Sequence, residues 1–566
     1  MTDTRRSDAF VALALAVVLS AAWAWVDRAA LAALRLPDTD DVMRLQQIRD
    51  WLGGQAFADV SQHRLGGGSG LAMHWSRLAD LGPAGLIAVL TPLAGRHVAE
   101  VAAVTVWPGL LFALALFLTG RIARHVAGDA APTAIVIAAI AYPATTIFLP
   151  GRIDHHGLQV VLLLGTTLAM LGNGAPRAAI AGACAGASLI IGLETAPLLA
   201  AIGLMAIGEW IMGRNDADER IAAFGVGALA PLLIGRVVFA PAAFGYPACD
   251  GFTAQAWAAA LTATILPIML GGIGGHLRDR RARAMTALAI GGGVAMIAAL
   301  QSPGCLSPYG GVDPLLARLW LSEVGEAQGV ATAPIATILG YGGIMAAGFA
   351  ATLWQASRRR TFGWTMLAVM LAVALAISAV QLRGAYAGAM LAAPGLAAAI
   401  AAARARGLVP LAGAWAASAG MLYPIAAQAL VRTEPPSPAA ARGDCSSPAA
   451  LAALDRLPRG VVMAPIDTGP WGIAATRHAF VAGPYHRDGA GDLAMFAFYR
   501  GSPAAAAAIV ERWHVDYVMV CAAMPDGATA RALADGRLPD FDTVAQSGEG
   551  TTIVARRRLS GGPSTP

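Results

Sequence analysis

The sequence predicts a polytopic α-helical membrane protein with about thirteen transmembrane helices and a small extracytoplasmic α/β domain at its C-terminal end. Three observations predict it. Of 566 residues, 57% are hydrophobic and only 13% are charged, whereas a soluble protein of this size carries about a quarter charged residues. Apolar runs of near twenty residues recur from residue 9 to residue 430, each about long enough to cross a bilayer. After Thr433 the pattern becomes short apolar segments between helical stretches and turns. The formal charge of +5 lies in short clusters between the apolar runs. That distribution is a topology signal and excludes a nucleic-acid partner as the main business of the chain.

Taken in order, the chain opens with Arg5 and Arg6 before an apolar run to Trp25. This has the outline of a signal peptide, with Ala22-Trp23-Ala24 as the cleavage site. The many later spans favour an uncleaved first span instead. Spans are expected at 9–27, 98–119, 132–149, 157–173, 178–192, 195–213, 221–240, 256–275, 284–301, 332–354, 362–380, 384–402 and 407–430. The basic clusters at Arg5 with Arg6, 121–125, Arg177, 214–220, 276–283, 358–360 and Arg404 with Arg406 all fall on one side of this map. Positive-inside logic makes that side cytoplasmic. The opposite loops are 28–97, 150–156, 193–194, 241–255, 302–331 and 381–383, plus everything after about 431. The expected domains are therefore a membrane domain, 1–432, and a periplasmic domain, 433–566, in a multi-pass protein of a bacterial inner membrane. The latter begins with a Pro-, Ala- and Ser-rich linker, has strands in GVVMAPI, HAFVAG, VDYVMVC and TTIVARR, and ends in a disordered tail, LSGGPSTP.

Cys184 lies within a span and reads as a small buried residue. Cys249, Cys305, Cys445 and Cys521 lie on the outer side, where disulfides persist. The expected pairs are Cys249–Cys305 and Cys445–Cys521, pairings that sequence does not fix.

The chemistry-bearing residues also gather on the outer side. Asp38, Asp40 and Asp41 precede an amphipathic helix. Capping accounts for one carboxylate at a helix start, not three, and the alternative is a hard divalent cation, Mg²⁺ or Mn²⁺. In PGRIDHHGLQ, Asp154 and His156 are two residues apart and can reach one ion from an extended loop, with His155 between them; interfacial solvation is the bland alternative. Glu323 and Glu326 share a helical face or form a solvated pair. Arg383 is a lone cation between apolar runs, fit either to snorkel or to clamp a phosphate. Glu194 lies near an outer span end and faces a cavity or the interface. His74, Trp75, Arg77 and Asp80, at the end of the first outer loop, line a donor pocket or cap the next helix.

The order of these features resembles the catalytic subunit of oligosaccharyltransferases, within the GT-C class of membrane glycosyltransferases. The features are an Asp-led first outer loop, Gly-x-x-Asp-x-His at the next outer turn, Glu in a long late loop, Arg soon after it, and an extracytoplasmic C-terminal domain. GRIDHH is similar to the Asp-His-His turn of archaeal single-subunit members. The resemblance implies that Asp41, with Asp40 as fallback, is a metal ligand that also contacts the acceptor. It implies that Asp154 and His156 bind the metal, that Glu326 of VGEAQ rather than Glu323 is the late-loop glutamate, and that Arg383 binds a lipid-linked diphosphate. Asp41, Glu326 and Asp40 are then the catalytic candidates. The implied activity is metal-dependent, inverting transfer of a glycan from a polyprenyl-(di)phosphate donor to a protein, lipid or glycan acceptor on the periplasmic face, by a monomer.

The chain departs from the family after residue 433. The Trp-Trp-Asp signature that reads the hydroxyl residue of Asn-x-Ser/Thr is absent, and APIDTGPWGIAATRHAFVAGPYHRD has one tryptophan, Trp471. Asp467, His478, Tyr485, His486 and Arg487 line an acceptor site or are ordinary polar residues. Three alternatives stay open: a GT-C enzyme that transfers a monosaccharide to lipid A or a polysaccharide, a transporter or flippase for a lipid-linked saccharide, and an undecaprenyl-linked glycan polymerase, which has less need of this acidic metal set. The transporter reading expects ionisable residues near the bilayer midplane, whereas here they cluster at one face.

Overall fold

The computed structural model describes residues 2–306, 311–430, 443–538, 541–548 and 550–556. Most of the expected linker and all of the expected disordered tail lie outside them. The chain forms two compact units. The first comprises Met1–Leu36, His74–Gly311 and Trp320–Arg432; the second comprises Pro37–Met73, Val312–Leu319 and Thr433–Pro566.

The first unit is a bundle of apolar helices. Among the described residues, nine are long and apolar enough to cross a membrane, or ten if the bent pair Leu408–Ser418 and Leu422–Ala429 is one span. His156–Leu171, Ala175–Ile191 and Ala196–Ile211 are apolar but shorter. At 1.5 Å per residue they fall a few ångströms below a bilayer's hydrocarbon thickness. The expected count of about thirteen spans is therefore not confirmed among the described residues. The expected span 132–149 is also broken: its helix runs from Ala131 to Ala139 and gives way to a 3₁₀ turn, Ala144–Phe148. Conversely, the expected outer loop 28–97 contains a membrane-length helix, Arg77–Ala94. Its charged start masks it in the sequence, because Arg77 and Asp80 are buried together at 3.2 Å.

Gly384–Arg404 is the most enclosed of these helices. Its sequence, GAYAGAMLAAPGLAAAIAAAR, is dominated by small side chains, which let neighbouring helices approach closely, as is usual between helices in lipid. Gly182 and Gly186 serve the same end on Ala175–Ile191. A Cβ at Gly182 would strike the Phe224 carbonyl of the helix Ala217–Val238, and one at Gly186 the Ala228 carbonyl. Charged residues inside the bundle are paired: Asp8 is fully buried and accepts from Arg124 at 2.6 Å, with Arg121 at 3.4 Å.

In the second unit, residues 37–73 contribute the helix Thr39–Leu52 and a hairpin of β1 (Ser61–Gln62) and β2 (Leu71–Ala72). The C-terminal part supplies β3 (Val461–Met463), β4 (Ala479–Phe480), β5 (Tyr517–Val520), β6 (Phe541–Gln546) and β7 (Thr552–Arg556), in the spatial order β4-β3-β5-β7-β6. The β4-β3-β5 side is parallel and β5-β7-β6 antiparallel. Parallel pairing needs crossovers, which the helices Thr468–Ala475 and Pro503–Arg512 supply within the longer connections. The early segment is built into this unit. Arg64 donates to the Thr476 carbonyl, the Phe480 amide donates to Arg64, and Arg487 donates to the carbonyls of Ala72 and Met73.

Candidate active site

A buried charged cluster lies in the first unit, built from three places far apart in sequence. The 3₁₀ turn Ala144–Phe148 leads into a tight turn through Gly151, whose φ of +93° suits a residue without a Cβ. The Gly151 amide donates to Val104 at 2.8 Å. This fixes Asp154 and His155 just before the helix His156–Leu171, all three buried. The second contribution is Glu194, between two helices. The third is the paired segments around Glu326 and Arg383. Leu382 and Arg383 donate backbone bonds to Gln328 and Glu326, and Val330 donates to Ala379.

His155 stands between two carboxylates. Its Nδ1 is 2.6 Å from Asp154 Oδ1 and its Nε2 3.0 Å from Glu194 Oε1. Burial opposes the imidazolium, but Asp154 and Glu194 outweigh it and hold the ring's pKa up to about 10. Burial likewise opposes the Glu194 charge, and His155 overrides it, leaving Glu194 well below the usual carboxylate range. Gln159 holds the second Glu194 oxygen at 2.7 Å.

His156 is arranged differently. Its Nε2 lies 3.4 Å from Asp154 Oδ2 and 3.9 Å from Glu326 Oε1. Glu326 in turn meets Arg383 Nη2 at 3.4 Å and accepts from the Tyr386 hydroxyl at 3.0 Å. Burial pushes the Glu326 carboxyl up, but the Arg383 guanidinium, with His156, brings it below its ordinary value.

Asp154, His155 and His156 have ligand atoms within 4.8 Å of one another, close enough to hold a metal ion. The geometry separates their roles. Both nitrogens of His155 are taken by carboxylates, so it suits orienting Asp154 rather than ligation. Asp154 Oδ2 and His156 Nε2, 3.4 Å apart, are left to face one small divalent cation bound at about 2.1 Å, while both Glu326 oxygens are engaged by Arg383 and Tyr386.

No protein-family model matches the sequence. No curated protein matches it either. Solved structures do. An Archaeoglobus fulgidus oligosaccharyltransferase in its apo form superposes with a TM-score of 0.68 at 14% identity, over 91% of this chain and 69% of that one. The oligosaccharyltransferase AglB of the same organism, in complex with an inhibitory peptide and a dolichol-phosphate, gives 0.64 at 14% identity, over 90% and 69%. A complex of the Archaeoglobus fulgidus enzyme with Zn and sulfate gives 0.59 at 15%, over 86% and 64%. The fold is that of an oligosaccharyltransferase.

Within this oligosaccharyltransferase-like fold, the structure brings together Asp154, His155, His156, Glu194, Glu326 and Arg383. Glu323 is not among them; it is exposed, with no ion pair among the described residues. His74 and Trp75 lie with ring centres 5.4 Å apart, and Arg77 is held by Asp80.

Asp40, Asp41, Tyr485 and His486 belong to the second unit. There Asp38 is the helix cap, accepting from the Asp40 amide, and Asp41 is fully buried in the first turn of Thr39–Leu52. The Tyr485 hydroxyl donates to the Thr39 carbonyl at 3.4 Å, and His486 is half-buried. His478, for which an acceptor-site role and an ordinary polar one both stood open, is a core residue: Nδ1 accepts from the Gly460 amide and Nε2 meets the Leu454 carbonyl. Asp467 is pushed up by burial, with Asp38 adding to the shift.

Sequence reasoning missed Gln159 and Tyr386. Gln159 is four residues after His155 and Tyr386 three after Arg383, the spacings that place side chains on one helical face. The structure joins Cys249 to Cys305 and Cys445 to Cys521, with Cα separations of 4.8 and 5.6 Å.

Proposed function

We propose that this protein is a metal-dependent, inverting glycosyltransferase of a bacterial inner membrane. It moves a glycan from a polyprenyl-(di)phosphate donor to an acceptor on the periplasmic face. The observation that carries the reading is the convergence of Asp154, His156, Glu326 and Arg383 at one end of the bundle, in an oligosaccharyltransferase-like fold.

Asp154 and His156, with Asp41 as the further candidate ligand, would hold a divalent cation, Mg²⁺ or Mn²⁺, which when bound would supply positive charge to the departing phosphate. Arg383 adds a planar, permanently charged group suited to phosphate oxygens. As the bond between the anomeric carbon and the phosphate oxygen breaks, negative charge grows on that oxygen. Fixed positive charge there is usually the largest catalytic contribution. The acceptor nucleophile forms its bond from the opposite face of the sugar, with inversion, and loses its proton to a carboxylate. Asp41, with Asp40 as fallback, is our candidate for that carboxylate. His155, Gln159 and Glu194 keep Asp154 in place, and Tyr386 does the same for Glu326.

The relative solved with a dolichol-phosphate and an inhibitory peptide favours a lipid-linked donor and a polypeptide acceptor. The absent Trp-Trp-Asp sequence argues that such an acceptor is chosen without that particular hydroxyl contact. The test is mass spectrometry of glycopeptides, glycolipids and glycans from cells with wild-type protein and with Asp41→Asn. A glycopeptide lost in the variant supports the reading. Loss confined to glycolipid or polysaccharide moves the acceptor to those classes, and no change in any glycan overturns a transferase role for Asp41.

A further inference from the structure

At the opposite end of the bundle from Glu326 and Arg383 there is a second polar site that this chemistry does not use. Glu326 precedes the helix Ile335–Arg359 and Arg383 precedes Gly384–Arg404. The far ends of the same helices enclose a pocket of about 490 Å³. Arg358, Arg359 and Arg406 line it, with Trp354, Gln355 and small residues such as Ala398. Gln355 and Ala398 are buried, and the Arg358 guanidinium lies 5.5 Å from the Trp354 ring centre.

Basic clusters on this face orient the chain, so positive charge alone assigns nothing. What sets this cluster apart is that three of its arginines line one cleft with no acid in the lining, whereas elsewhere on this face a cleft lined by Arg214 and Arg220 also holds Glu209 and Asp216. Arg124 is neutralised by Asp8 and Asp129, Arg214 by Glu209, and Arg283 by Asp218. Arg358, Arg359 and Arg406 have no acidic partner among the described residues, and no acid lines the pocket. Three cations around a cleft of this size call for an anion.

The flanking surface says which kind. Leu353, Leu408 and Val409, next to these residues in sequence, are 51%, 83% and 85% exposed. Apolar side chains this bare beside arginines and a tryptophan belong at the boundary between acyl chains and headgroups. Basic pockets between transmembrane helices at that level suit phospholipid headgroups. We infer that this pocket binds the phosphate of an anionic phospholipid from the leaflet opposite the Asp154 site, with its acyl chains along Leu353 and Leu408. The inference stands independently of the proposed transferase activity.

The test is native mass spectrometry of the full-length protein titrated with phosphatidylglycerol, phosphatidylcholine or inorganic phosphate. Wild type should retain phosphatidylglycerol in preference to phosphatidylcholine, and millimolar inorganic phosphate should not displace it. Affinity should fall about 100-fold in R358A/R359A/R406A, at about fivefold per arginine. It should be largely kept in R358K/R359K/R406K, which preserves charge and topology. Ala398→Phe fills the cleft without changing charge and should lower affinity at least tenfold. Equal retention of the two lipids, wild-type binding by Ala398→Phe, or displacement by free phosphate would each overturn the site.

Discussion

The protein buries carboxylates in two places, and they behave in opposite ways. In the first unit, Glu194 and Glu326 stay ionised, each held below its usual range by a cationic side chain. In the second unit, Asp488 and Asp492 are 3% and 0% exposed, and each keeps one oxygen without a hydrogen bond. Burial pushes Asp488 up to about 8, against bonds from the Gly483 and Gly491 amides. Burial and then Asp488 push Asp492 well above its ordinary value. Glu194 and Glu326 keep 21% and 26% of their side-chain exposure, yet burial pushes all four carboxyls up, so the sign of the net shift is set by the partner. Backbone amides lower the cost of a buried carboxylate, whereas a guanidinium or imidazolium reverses its sign. The ionised set carries the charge that the proposed transfer would use, and the protonated pair is part of a core.

The comparison breaks most severely at Asp154. Asp154→Asn keeps the shape but removes the charge that both histidines face, and donor turnover should fall about 10²–10³-fold. Transfer assays with purified protein check this, and activity near wild type refutes the metal assignment. Arg383→Ala leaves the half-buried Glu326 without its main cation. Donor affinity should fall about 10- to 100-fold, as for loss of a charged partner in a largely buried pair. Binding measured with a non-hydrolysable lipid phosphate reads this directly.

His155→Asn removes the link between Asp154 and Glu194. Loss of such an orienting group typically costs about 10- to 100-fold in metal affinity, and we expect the lower part of that range because Asp154 and His156 themselves remain. Titration with Mn²⁺ followed by electron paramagnetic resonance gives the answer. The smallest effect concerns the neutral pair. Its folded pKa values lie above the unfolded value near 4. It therefore contributes stability that is fully present below about pH 4 and lost as pH rises through about 8. Asp492→Asn should flatten this loss and raise the melting temperature of the second unit by a few degrees at pH 9. Hydrogen exchange of β3 and β5 across pH 5 to 9 measures it.

Short-range features were the most legible in the sequence. Asp154 and His156 are two residues apart, and Glu326 was separable from Glu323 only through the family resemblance. Apolar length located most of the long helices, because lipid demands it. Pairing across distance left no local signal. His155 meets Glu194 across 39 positions and Gln159 meets it across 35. Nor does hydropathy register that two buried charges cancel, which is why Arg77–Ala94 read as loop. The place of residues 37–73 in the second unit was invisible for the same reason, since their partners lie at the far end of the chain.

That last arrangement has a consequence for synthesis. Arg64 and its partner Thr476 are 412 residues apart. At about 5–20 residues per second, the early segment waits roughly 20 to 80 seconds for the sheet that covers it. Val60 and Leu65, 4% and 0% exposed at the end, stand bare in the meantime while the membrane helices are inserted. The second unit is thus completed last, and a nascent chain stopped at residue 432 presents residues 37–73 as an unfolded, chaperone-binding segment rather than as a finished loop.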